Sequence, residues 1–201
     1  GNPTIEISSE FILKNNAQVP KEIKPVNESV RTEIKTVAYH TDDTGDSQYM
    51  VLEKIVSKIP AEQSIMLIGR YHSDAEFIPN ELVMRNEKRN IVSVHISNRD
   101  IPYNTIHSAK GLEADNVIVV SCSQDGNGFP SRVSDDPILG YVLSAPETFP
   151  YAEERRLFYV AITRARKQTY VMYNEKSPSC FITELAKKQG MFECPWCHNG
   201  N

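Results

Sequence analysis

The chain has 201 residues, of which 40% are hydrophobic and 24% charged, with a formal net charge of −4. That size permits one substantial core, or one domain with an appendage. The acidic balance excludes a globally basic nucleic-acid binder, so any nucleic-acid contact has to come from a local, salt-sensitive patch.

No apolar run reaches bilayer-spanning length, and no charged-then-apolar signal segment opens the chain. Four cysteines, Cys122, Cys180, Cys194 and Cys197, do not make a disulfide scaffold. A reducing, cytoplasmic setting is expected. The first residue is Gly rather than Met, as expected of a piece of something longer.

In chain order, Thr4 to Gln18 reads as a helix, bounded by Pro20 and Pro25. Lys35 to His40 is strand-like, and a turn cluster from Thr41 to Asp46 offers helix N-caps. Met50, Val51, Leu52, Ile55, Val56 and Ile59 recur at helical spacing, and Pro60 closes that element. Ser64 to Gly69 is a buried strand ending in Arg70-Tyr71-His72. Residues 74–90 read as a weakly patterned helix, and Ile91 to Ile96 as a short alternating strand.

From Tyr103 to Val120 a small polar elbow, His107 to Glu113, separates two apolar-leaning segments. The second holds the unbroken run Val117-Ile118-Val119-Val120, the signature of a strand covered on both faces. Ser121 to Asp136 is a loop, 136–144 a short helix, Tyr151 to Lys167 a strong helix, Thr169 to Tyr173 a strand and Ser179 to Gln189 a last helix. Strands alternating with helices predict a mostly parallel α/β sheet with helices on both faces. In such sheets the carboxyl ends of strands are where ligands bind, and Lys110, His107 and Glu113 around Gly111 suit something polar or anionic.

Within the helix expected at 151–167, Leu157, Phe158, Val160, Ala161, Ile162 and Ala165 share one apolar face, with Arg155, Arg156 and Arg166 outside it. Arg164, seven residues after Leu157, projects from the apolar side. A guanidinium there finds an anion or bears a desolvation cost of several kcal/mol. The pattern is compatible with a buried ion pair, with snorkelling at the helix end, and with an arginine that reaches a phosphate.

Thr105-Ile106-His107-Ser108-Ala109-Lys110-Gly111-Leu112-Glu113 resembles motif V of superfamily 1 helicases of the UvrD/Rep type. Glu153-Glu154-Arg155-Arg156-Leu157-Phe158-Tyr159-Val160-Ala161-Ile162-Thr163-Arg164-Ala165 resembles their motif VI, in the family's order and about forty residues on. The resemblance implies a RecA-like (P-loop NTPase-like) fold over residues 1–190, the second of two such motor domains that sandwich ATP. It implies that Arg164 is a catalytic arginine finger on the γ-phosphate. Glu113 would hydrogen-bond the nucleotide sugar, and Gly111 would let the backbone approach closely. His107, Lys110 and Thr105 would face single-stranded DNA, as would Arg70 and His72 at a related strand end. His72 stands where the family carries Asn, which sets that contact apart. Lys110 and Glu113 lie three residues apart, so the elbow is expected to couple strand and nucleotide.

No Gly-x-x-x-x-Gly-Lys-[Ser/Thr] occurs in the chain, nor an acidic strand-end motif of the kind that holds Mg²⁺. By resemblance, the partner is therefore the first RecA-like domain, holding ATP and Mg²⁺, and this chain is inactive without it. A helicase-like binding or docking module without turnover, and a helicase fused to a nuclease, remain open on the sequence. Only about thirty residues separate Arg70 from Tyr103, where longer relatives insert a domain. The tail, 191–201, carries Cys194-Pro195-Trp196-Cys197-His198. Cys194 and Cys197 read as half of a Zn²⁺ ribbon, with a haem attachment pattern and plain tail cysteines as the other readings. Cys122 and Cys180 read as packing residues.

Overall fold

The computed structural model describes residues 33–40, 46–86, 91–124, 128–131 and 151–188. The expected helices at 4–18 and 136–144 and the cysteines Cys194 and Cys197 lie outside them. Strand β1 spans Glu33–Tyr39, helix α1 Asp46–Lys58 and strand β2 Ile65–Gly69. Two 3-10 turns, His72–Ala75 and Asn80–Leu82, lead into β3 (Val83–Asn86), β4 (Ile91–Ile96) and β5 (Arg99–Thr105). Then come β6 (Ala114–Val119), α2 (Ala152–Ile162), β7 (Ala165–Asn174) and α3 (Cys180–Lys188).

The strands form one seven-stranded sheet in the order β1-β7-β6-β2-β5-β4-β3. From β1 to β5 every neighbour pair is parallel, and β4 and β3 extend the sheet antiparallel. The five parallel strands therefore share a carboxyl edge, with Gly69, Thr105 and Val119, and an amino edge, with Ile65, Ala114 and Ala165.

The β-branched run predicted to be covered twice is covered twice. Val117 and Val119 join Met66, Ile68, Phe158, Ala161, Phe181 and Leu185 in the core beneath α2 and α3. Ile118 and Val120 face Leu52, Val56, Leu67 and Met172 beneath α1. Each fully buried large side chain contributes about 1.5–3 kcal/mol of burial, so β6 is the keel of the domain.

Two expectations are corrected. The helix expected over 74–90 does not form in its described part, 74–86: Pro79 interrupts the segment, and Val83–Asn86 pairs with β4, Val83 opposite Val94. The helix expected to run to Lys167 ends at Ile162, because Ala165 pairs with Ala114 and starts β7. Sheet pairing overrides local helix propensity there. Arg164 therefore sits in the turn between α2 and β7 rather than on the helix's apolar side.

At the amino edge, Asp115 ties two parallel strands together. Its Oδ2 accepts the Ser64 N–H at 2.9 Å and the Ser64 hydroxyl at 3.0 Å. The Ser64 N–H foremost, with the cations of Lys167 and Arg166 behind it, holds the Asp115 carboxyl below the usual carboxylate range. A lowered folded-state value means stability that is present above the unfolded value, near 3.8, and lost as pH falls through the lower folded one. Asp115→Asn is therefore expected to lower the melting temperature at pH 7, with the difference from wild type shrinking below pH 4. Parallel melting curves across pH 3–7 check this, and a gap that persists in acid would refute it.

Candidate functional site

The elbow after β5 does not stay at one edge. Thr105 ends β5 at the carboxyl edge, level with Gly69, and Ala114 starts β6 at the amino edge. The intervening segment crosses the face of the sheet, pinned by Ile106 and Ala109, both buried in the α2–α3 core. Its path is fixed by main-chain bonds from Ile106 N–H to the Gly69 carbonyl and from Ala109 N–H to the Thr105 carbonyl, each 2.9 Å. The motif residues fall into two groups as a result.

At the carboxyl edge, Arg70, His72, Thr105 and His107 come together. Arg70 is 8% exposed and turned inward. Its Nε and one terminal nitrogen both donate to Glu154 Oε1 at 2.9 Å, a two-pronged ion pair. Its other terminal nitrogen lies 3.1 Å from His107 Nε2. A guanidinium only donates, so His107 accepts at Nε2 and is the Nδ1–H tautomer. The second Glu154 oxygen accepts the Ser131 N–H at 2.9 Å, and the Ser131 hydroxyl shares a 2.7 Å bond with Tyr71.

Below this cluster, Asp74 Oδ2 accepts the main-chain N–H of Arg70 at 2.7 Å and of Tyr71 at 3.2 Å. Burial nevertheless pushes the Asp74 carboxyl up, and its Oδ1 has no partner among the described residues. A Cβ on Gly69 would stand 2.0 Å from the Tyr103 hydroxyl, so glycine is what lets Tyr103 cross beneath this strand end and donate to the Tyr71 carbonyl. Burial raises the Tyr103 phenol, keeping it a neutral donor. Exposed His72 lies over Tyr103, the ring centres 6.4 Å apart. The Thr105 hydroxyl shapes the elbow through Ser108, 3.0 Å between the two hydroxyl oxygens. Lys110 is exposed on the crossing segment and makes no ion pair among the described residues.

The amino edge holds Glu113 and Arg164. The Ala114 N–H donates to the Arg164 carbonyl at 3.2 Å, which places the two residues' backbones side by side. Glu113 is exposed and, with Leu112, Ser64 and Arg99, lines a cleft of 570 Å³; Arg164 is not in its wall. Gly111 has φ +86 with nothing within 4 Å of its missing Cβ, so glycine is needed for the left-handed backbone and the space beside it is open.

Arg164 is half-buried. Its Nε donates to the Val160 carbonyl at 3.0 Å, one of the last carbonyls of α2, and a terminal nitrogen reaches the Thr163 hydroxyl at 3.4 Å. No carboxylate pairs with it among the described residues. The buried ion pair allowed by the sequence is therefore not what holds it. A half-exposed guanidinium with only neutral oxygen partners fits a phosphate, and a free carboxylate at the same edge fits sugar hydroxyls.

Sequence periodicity missed two anchors. Glu154 emerges as the hub of the carboxyl-edge cluster, although only its place in motif VI was visible. Arg155, placed outside the apolar face, is 6% exposed and forks onto Glu184 at 2.9 and 2.6 Å. The partner lies 29 residues on, beyond the reach of any helical-wheel argument. Among the described residues no group of three or more His, Cys, Asp or Glu is placed to hold a metal, and no helix is long and apolar enough to cross a membrane.

A mostly parallel sheet with helices on both faces and polar motifs at its two edges is the α/β class that the RecA-like resemblance implied. Residues 85–176 match the family model of the UvrD-like helicase C-terminal domain. DNA helicase IV of Escherichia coli is 31% identical over 180 residues, covering 90% of this chain and 24% of that protein. ATP-dependent DNA helicase Rep of Buchnera aphidicola is 30% identical over 128 residues, 56% of this chain and 18% of that protein. The chain thus spans about a quarter or less of these curated relatives. A solved C-terminal domain of a possible DNA helicase from Lactobacillus plantarum WCFS1 shares the fold, with a TM-score of 0.51 at 16% identity over 92% of this chain and 91% of that one.

Proposed function

We propose that this chain is the second motor domain of a longer ATP-dependent DNA helicase that couples ATP hydrolysis to 3′→5′ movement on single-stranded DNA. The observation that carries the reading is Arg164: a guanidinium bonded, among the described residues, only to neutral oxygens, its main chain joined to that of Ala114 next to Glu113, in a sequence without a P-loop. ATP and Mg²⁺ would be held mainly by the first RecA-like domain of the same polypeptide, and ATP supplies the phosphoryl group whose transfer to water drives movement.

On this reading Arg164 places positive charge on the transferring phosphoryl group, and Glu113 accepts hydrogen bonds from the sugar beside the open turn at Gly111. At the other edge Thr105, His107 and His72 meet the DNA strand, with Arg70 behind them, and Lys110 meets it from the crossing segment. Cys194 and Cys197 are proposed as half of a zinc ribbon completed elsewhere, and the setting as cytoplasmic. The isolated domain is inactive.

The test is ATP hydrolysis by the full-length parent with and without a dT oligonucleotide, with and without a chelator, alongside strand displacement from duplexes carrying 3′ or 5′ single-stranded tails. Turnover stimulated by DNA, abolished by chelation and accompanied by displacement from the 3′-tailed duplex alone is expected. Absence of hydrolysis would replace the motor with a binding module.

A further inference from the structure

We propose that Glu154 is a positioning residue that joins the strand-facing edge of the domain to the nucleotide-facing edge through helix α2. The inference rests on the motor reading above and deepens it. The residues placed at the strand-facing edge, Arg70 and His107, are bonded to each other and, through Arg70, to the first turn of α2. Arg164, at the nucleotide-facing edge, follows the last turn of the same helix. Eleven residues at 1.5 Å of rise make α2 a strut of about 16 Å between the two edges.

Both ends are fastened. Glu154 spends one oxygen on the Arg70 fork and the other on the Ser131 N–H, so it cannot swing without releasing the loop beside it. The Arg70 and Glu154 side chains are 9% and 12% exposed, so solvent ions screen the pair weakly. Along the strut, Phe158, Ala161 and Ile162 are buried and neither Gly nor Pro interrupts the helix, which leaves no hinge. At the far end the Arg164 Nε is bonded to the Val160 carbonyl, so the guanidinium moves with the helix terminus.

The direct route, Lys110 to Glu113, is softer: those residues are exposed and pass through the open, left-handed Gly111. A phosphate that draws on Arg70 or His107 pulls on Glu154, and a rigid α2 carries that pull to Arg164.

The experiment compares the full-length parent with its Glu154→Gln variant, which keeps the side chain's size and removes its charge. Three quantities are read: the ratio of DNA-stimulated to DNA-free ATP turnover, the KM for ATP, and the affinity for a fluorescent dT oligonucleotide by anisotropy. The ratio is expected to fall at least about fivefold, the scale of ordinary coupling energies, with oligonucleotide affinity and KM retained. Glu154→Asp keeps the charge but shortens the reach to Arg70 and the Ser131 N–H; it reads the same joint and is expected to give the same split should Glu154→Gln fail to fold. An undiminished ratio, or an affinity that falls in step with it, overturns the proposal. A wild-type parent without DNA-stimulated hydrolysis overturns the motor reading as well. A stimulated wild type with an equally stimulated variant overturns this inference alone.

Discussion

Replacing Arg164 with alanine is expected to lower ATP turnover of the full-length parent by roughly 10³-fold or more, with and without DNA. A loss of that size corresponds to about 4 kcal/mol of transition-state stabilisation. Stability should respond far less. The side chain's visible bonds run to the Val160 carbonyl and the Thr163 hydroxyl, both neutral, and such bonds contribute about 0.5–1.5 kcal/mol each. Large loss of turnover with a nearly unchanged melting curve is thus the signature of a phosphate-facing arginine. Arg164→Lys should fall between, since a lysine keeps the charge but not the planar fork. Unchanged turnover in the alanine variant, with a slightly lower melting temperature, would make Arg164 a cap on the carboxyl end of α2 and nothing more.

The largest stability effect is expected at Glu184. Its two oxygens hold the buried Arg155 guanidinium at 2.9 and 2.6 Å, and that guanidinium lies over the Phe181 ring, 5.1 Å from its centre. Truncating one partner of a buried pair costs about 3–5 kcal/mol. Glu184→Ala should therefore lower the midpoint of the transition that unfolds this domain by roughly 6–20 °C. Replacing both partners at once, as Arg155→Met with Glu184→Leu, should recover most of the loss, because no charge then remains to be desolvated. Thermal melts of the single and double variants decide it. A double variant as unstable as the single one would show that the pair orders α2 against α3 in a way packing cannot replace.

The strands were easy to read where burial dictates composition. A β-branched run such as Val117–Val120 has few other uses, and the alternation of its side chains between the two cores is fixed by strand geometry. Legibility failed where a distant partner decides. Arg164, Ala165, Arg166 and Lys167 are all acceptable in a helix, and only the pairing of Ala165 with Ala114 ends α2 early. Residues 74–90 lacked clear helical patterning, and β4, not local propensity, makes Val83–Asn86 a strand. The motif residues themselves were found by resemblance. What the sequence hid was their division between two edges, because a segment of eight residues between Thr105 and Ala114 reads as one elbow and folds as a traverse. Arg70 was visible as a cation at a strand end, yet its inward turn depends on Glu154, 84 residues later.

The strand order has a consequence for how this fold tolerates change in length. Past the two 3-10 turns, the chain between β2 and β5 builds the outermost strands, β3 and β4, at one end of the sheet. β4 is hydrogen-bonded to β5 and β3, and β3 to β4 alone, so neither pairs with the keel strand β6. Extra residues entering there lengthen an outer margin of the sheet. The margin formed by β3 and β4 is thus the fold's growth point, where mass can be added or shed while the machinery of both edges keeps its shape.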